Sequence, residues 1–111
     1  MSEEYIEILT EIEEETFTCP ERVLFLSVIF QALLDATKEK TIVESSRTSV
    51  ERQHARAWFF CSVGVTCDNF EYVCENAGMD AEYTRSFAIK VINSKEIKYV
   101  RQRIRRVLDK S

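Results

Sequence analysis

The side chains best suited to nucleophilic or metal chemistry in this sequence are one histidine and four cysteines. His54, Cys61, Cys67 and Cys74 follow one another with six, five and six residues between them. Structural zinc sites normally begin with two ligands about two to four residues apart, and that close pair is missing here. His54 and Cys61 would lie two turns apart on one helix face, about 10 Å along its axis, too far for a nucleophile and its base. There is also no glycine loop to cradle a phosphate. The reading is that the protein is not an enzyme and uses no metal or cofactor. The cysteines, Cys19 included, read as reduced, partly buried small hydrophobes.

The remaining chemistry is that of charge. Residues 1–16 hold seven glutamates and no basic residue, whereas residues 95–110 hold seven basic residues and two acidic ones. In a C-terminal helix, Lys98, Arg101 and Arg105 fall on one flank of the apolar stripe and Arg103, Arg106 and Lys110 on the other. Arginine dominates, and its planar fork suits phosphate. The same residues also suit two roles that involve no phosphate. The arginine stems can simply cover the core with their heads in water. The acidic N-terminal segment can also neutralise the basic one, within the chain or across a dimer.

Between these ends lies VCENAGMDAEYTR, Val73 to Arg85. A short helix, a glycine and a second helix are what a helix-turn-helix requires. Gly78 permits the turn, Cys74 lets the helices approach, Met79 plugs the angle, and Tyr83 and Phe87 hold the second helix against the first. That helix, residues 81–93, would present Asp80, Glu82, Arg85, Ser86 and Lys90 to DNA. Arg85, Ser86 and Lys90 are the candidates for bases or nearby phosphates. Lys98, Arg101, Arg105 and Arg106 are the candidates for backbone phosphates. Glu82 is the misfit, because a carboxylate near phosphates repels them.

These residues need helices to position them. Gly 2 and Pro 1 are too few for the turns of an all-β domain. An acidic amphipathic helix is expected over 3–16, with Tyr5, Ile6, Leu9 and Ile12 on one stripe. A second helix starts at Pro20, with Thr18 and Glu21 as a capping box, and runs to Thr37. It is apolar nearly all round, so it should be the central one. Residues 38–48 read as a loop. Thr48 and Glu51 then open a helix to Val63 that buries Val50, Ala57, Trp58, Phe60 and Cys61 and ends at Gly64. Asp68 caps a short helix over 69–77, with Phe70, Val73, Cys74 and Ala77 inward. Asp80 caps the next, over 81–93. Asn93 and Ser94 mark a break, and Ile97, Val100, Ile104 and Val107 give the last helix its stripe. The expected fold is an all-α, single-domain bundle of five to six helices over residues 1–111, with a helix-turn-helix-like corner at about 69–93.

No apolar run reaches the ~20 residues a membrane span needs, and the acidic N-terminus is unlike a secretory signal. The expectation is a cytoplasmic protein of a bacterial or phage-infected cell, without a membrane partner.

The segments Leu24–Thr37 and Ala55–Arg85 resemble small uncharacterised α-helical proteins of phages, prophages and proteobacteria. The shared pattern runs QA-x-x-DA, AR-x-WF, then F-x-x-VC-x-x-AG-x-D-x-x-x-x-R. Here it falls on Gln31, Ala32, Asp35 and Ala36; on Ala55, Arg56, Trp58 and Phe59; and on Phe70, Val73, Cys74, Ala77, Gly78, Asp80 and Arg85. The resemblance spans roughly residues 23–86 and brings no activity with it. It implies a small phage-type accessory protein with a helix-turn-helix. Arg56 and Arg85 would then either pair with Asp35 or face a phosphate. Two functions fit. One is a helix-turn-helix DNA-binding protein acting in transcription regulation on double-stranded DNA. The other is a protein-interaction module that engages a host protein through its acidic N-terminal helix. Either is compatible with a homodimer.

Overall fold

A computed structural model of the protein describes residues 20–40, 43, 45–61 and 64–110. The expected helix over 3–16, together with Thr18 and Cys19, lies outside these residues. Among the described residues there are five helices: α1 (Pro20–Ala36), α2 (Ser46–Phe60), α3 (Val65–Ala77), α4 (Ala81–Ile92) and α5 (Ile97–Lys110). Among the described residues there is no strand, so the all-α bundle is as expected. No helix among them is long and apolar enough to cross a membrane.

The apolar run of α1 makes it the hub. It packs against all four other helices and buries Leu26, Ile29, Phe30, Leu33, Leu34 and Ala36. Its outer side still exposes Leu24 and Val28. The period of α3 places Phe70, Val73, Cys74 and Ala77 inward, and α5 buries Val100, Ile104 and Val107 at i, i+4 and i+7. Each fully buried Phe or Ile contributes roughly 1.5–3 kcal/mol over its exposed state. The α2–α3 contact is aromatic. Trp58, Phe59 and Phe70 meet edge-to-face, with centroids 4.9–5.8 Å apart. Trp58 Nε1 donates to Asn69 Oδ1 at 2.8 Å.

Both ends of α2 and the start of α3 differ most from the sequence reading. Helix α2 begins at Ser46, not Thr48. Ser45 is its cap, and the Ser45 Oγ accepts the Thr48 N–H at 3.2 Å. The helix ends at Phe60, and Cys61 is already extended at φ −69° and ψ 132°. Gly64 does not end this helix; it opens the next one. Its φ of 94° and ψ of −171° fall in a region essentially restricted to glycine. So α3 starts at Val65, four residues before the expected position, and Asp68 lies in its first turn rather than at its cap.

The inward face of α2 also differs. Val50 and Phe60 are exposed, as is Ala57, and Trp58 is only partly covered. Arg52, Ala55 and Phe59 point inward instead. An arginine in the buried stripe hid that face from a reading of apolar spacing. Its Nη1 reaches the Lys38 carbonyl at 3.4 Å.

Candidate nucleic-acid interface

The corner between α3 and α4 is built from three residues, Gly78, Met79 and Asp80. Gly78 takes the left-handed conformation at φ 74°. Its N–H bonds the Glu75 carbonyl at 3.1 Å, and the Met79 N–H bonds that of Cys74 at 2.9 Å. This pair is the Schellman arrangement, which closes a helix through a left-handed glycine. Met79 is partly buried against the core, as its place in the angle requires. Asp80 then caps α4, its Oδ2 accepting the Tyr83 N–H at 2.9 Å. Thr84 follows, wholly buried, with its hydroxyl donating to the Asp80 carbonyl at 2.8 Å.

Thr84 takes the inward place expected for Tyr83, which is 48% exposed, whereas Phe87 is buried as expected. Capping by Asp80 fixes this phase, since it points positions 84, 87, 88 and 91 into the core. The outer side of α4 therefore presents Glu82, Tyr83, Ser86, Ile89 and Lys90. Of the residues expected to approach bases, Ser86 and Lys90 stand on this exposed side.

Arg85 does not lie wholly on that side. Its side chain is 17% exposed and turned toward the end of α2. The Nε donates to the Phe59 carbonyl at 3.0 Å and Nη2 to the Cys61 carbonyl at 3.2 Å. The Nη1 pairs with Glu82, and the guanidinium sits 4.9 Å from the Phe70 ring centroid. Burial alone would lower the Arg85 pKa, but Glu82 and then Cys67 outweigh it and raise it. Glu82, the awkward carboxylate of the reading-helix hypothesis, thus has a cation beside it. Arg56 likewise serves the backbone, donating Nε to the Ala36 carbonyl at 3.0 Å.

On α5 the four phosphate candidates divide. Arg101 is half-buried, and its Nη1 donates at 2.6 Å both to the Leu34 carbonyl and to the Thr37 hydroxyl. Burial, and next the nearby Arg105 charge, lower its pKa against the pull of Asp35. Lys98, Arg105 and Arg106 are exposed. Among the described residues, none of these three has an ion-pair partner. Lys98, Arg101 and Arg105 also line a cleft of about 680 Å³ that faces the segment after α1 and the start of α2. Charge spacing pointed to the α5 wall of this cleft, but not to its meeting with Ser45 and Thr48, which are distant in the chain.

Of the metal set considered in the sequence, Cys61, Cys67 and Cys74 are present as thiols. Among the described residues no group of three His, Cys, Asp or Glu side chains could hold a metal ion. No protein family, no curated protein and no solved structure matches the chain.

Proposed function

We propose that the protein is a helix-turn-helix DNA-binding protein, a small regulator of phage type that acts on double-stranded DNA. The observation that carries this reading is the cationic face of α5. Lys98, Arg105 and Arg106 are exposed there without an acidic partner among the described residues. Such a face suits a phosphate backbone. The α3–α4 corner supports it, since α4 follows a three-residue turn and exposes Ser86 and Lys90. In this reading α4 enters the major groove, α5 grips the backbone, and Arg85 and Arg101 hold the two helices in place.

The test is a fluorescence-anisotropy titration with random-sequence duplex DNA at two salt concentrations. Binding should weaken steeply with salt, and Arg105→Ala or Arg106→Ala should each lower the log–log slope by about 1. An unchanged slope in both variants removes the reading.

A second reading, a protein-interaction module, is favoured by two features. One is the seven glutamates of residues 1–16. The other is Tyr83 and Ile89, both 48% exposed on the outer side of α4. Neutralising Glu11, Glu13, Glu14 and Glu15 to Gln separates the two. It should weaken capture of a basic protein partner, but leave DNA affinity unchanged or raised.

A further inference from the structure

The cleft beside α5 has a composition of its own. One wall is Lys98, Arg101 and Arg105, one turn apart along the helix. The opposite wall is Ser45 and Thr48, the cap and first turn of α2. The Ser45 cap takes the Thr48 N–H, but the other first-turn N–H groups have no intrahelical acceptor and the dipole leaves that end positive. Lys38 also lines the cleft, but it is paired with Glu51 and Asp35. Among the described residues Glu39 is the one carboxylate in the lining.

Three cations therefore face hydroxyls and a positive helix end across one opening. Arg101 and Arg105 repel each other there, and Arg101 is held in place by the Leu34 carbonyl. An anion between the walls would relieve that repulsion. The arrangement selects among anions. Among the described residues no aromatic ring lines the cleft, so none of them would stack a base. Arginine forks, an ammonium, hydroxyls and a helix N-terminus together match the oxygens of a tetrahedral dianion better than the two of a carboxylate.

We infer that this cleft is a binding site for one phosphate group, held between Lys98, Arg101 and Arg105 on α5 and the N-terminal turn of α2. The group has two sources, a duplex backbone or a free phosphorylated small molecule. The first rests on the DNA reading and deepens it by naming its anchoring contact. The second does not depend on that reading.

The probe is inorganic phosphate, titrated into the full-length protein in a low-salt buffer without other polyanions and followed by amide NMR shifts. Saturable shifts are expected at Ser45, Thr48, Lys98 and Arg105. They should vanish in the Lys98→Ala/Arg105→Ala variant, whose changes are at exposed positions, and persist in Arg106→Ala. Shifts that never saturate, that spread evenly to Lys90 and Arg106, or that survive the double substitution overturn the site. Duplex DNA added to the phosphate-saturated protein identifies the source. If DNA displaces phosphate, the cleft holds a backbone phosphate. If phosphate binds but DNA does not, the cleft stands, its ligand is a free phosphorylated molecule, and the DNA reading fails. If DNA binds while phosphate shows no saturable site, the cleft proposal fails and the DNA reading stands.

Discussion

Arginine has one recurring task in this protein. Helices α1, α2 and α3 carry no basic residue in their last turn. Each has carbonyls there without intrahelical donors and the negative end of a dipole. An arginine from elsewhere in the fold supplies both the donor and the charge. Arg101 and Arg56 bond carbonyls at the end of α1, Arg85 at the end of α2, and Arg22 at the end of α3 through the Ala77 carbonyl. Helix α4 has its own Lys90 in that position. A charged hydrogen bond of this kind is worth about 1.5–3 kcal/mol. Arg85→Ala, which strips two carbonyls, should destabilise the protein by about 2 kcal/mol in urea unfolding, and Ser86→Ala on the outer side by less than about 0.5. Equal midpoints for the two variants would contradict the clasp. The thiols near Arg85 follow from their surroundings too. Burial, ahead of every other influence, raises the pKa of Cys67 and of Cys74. A raised pKa leaves less thiolate at a given pH, so both should react with iodoacetamide more slowly than half-buried Cys61 under native conditions. Faster labelling of Cys74 than of Cys61, read by mass spectrometry, would show that the buried site opens readily.

At the scale of the element, the corner is tighter than its three-residue turn alone requires. A methyl group added at Gly78 would come within 2.5 Å of the Arg22 guanidinium, while one added at Gly64 would meet nothing within 4 Å. Both glycines have positive φ, so alanine is strained at each. Only at Gly78 must a neighbour also move, and that neighbour holds the Ala77 carbonyl. Gly78→Ala should therefore cost about 1 kcal/mol more than Gly64→Ala. The excess should shrink when Arg22→Ala is added, and a strictly additive double-mutant cycle would mean that Arg22 does not press on the turn. This corner was the most legible part of the sequence, because a glycine, a cap and a 3.6-residue period all coincide there. Helix α2 was the least legible. Its inward stripe contains Arg52, and its outward side contains Val50 and Phe60, so apolar spacing pointed to the wrong face. The start of α3 was missed because Asp68 resembles a cap, whereas backbone freedom at Gly64 decides where the turn begins. The basic candidates of α5 share one helix, and Lys98, Arg101 and Arg105 share one cleft wall. That Arg101 would face the end of α1, 67 residues away in sequence, depends on tertiary packing, which no local pattern encodes.

For the whole molecule, α5 has two tasks on one surface, and Arg101 and Arg105 separate them. Arg101 ties the last helix to the hub by bonding the Leu34 carbonyl and Thr37, whose own hydroxyl donates to Leu33. This bridge closes the chain between its longest-separated described elements. Arg105, one turn further on, is exposed and makes no ion pair among the described residues. Removing Arg101 uncovers acceptors that are wholly or largely buried. Removing Arg105 uncovers nothing, and relieves the repulsion that, after burial, lowers the Arg101 pKa. Arg101→Ala should thus lower the unfolding free energy by about 2 kcal/mol. Arg101→Lys should recover only part of it, since one ammonium on a flexible stem replaces a preorganised fork. Arg105→Ala should leave stability within about 0.5 kcal/mol, or raise it slightly, while weakening anion binding. Unfolding and DNA or phosphate titrations on the same three variants give the two responses side by side. A variant set in which stability and anion affinity fall together would mean that the bridge and the binding face are one feature. A loss of anion affinity without loss of stability in Arg105→Ala would mean that the exposed layer can be removed without disturbing the frame, while Arg101 serves both the frame and the anion cleft.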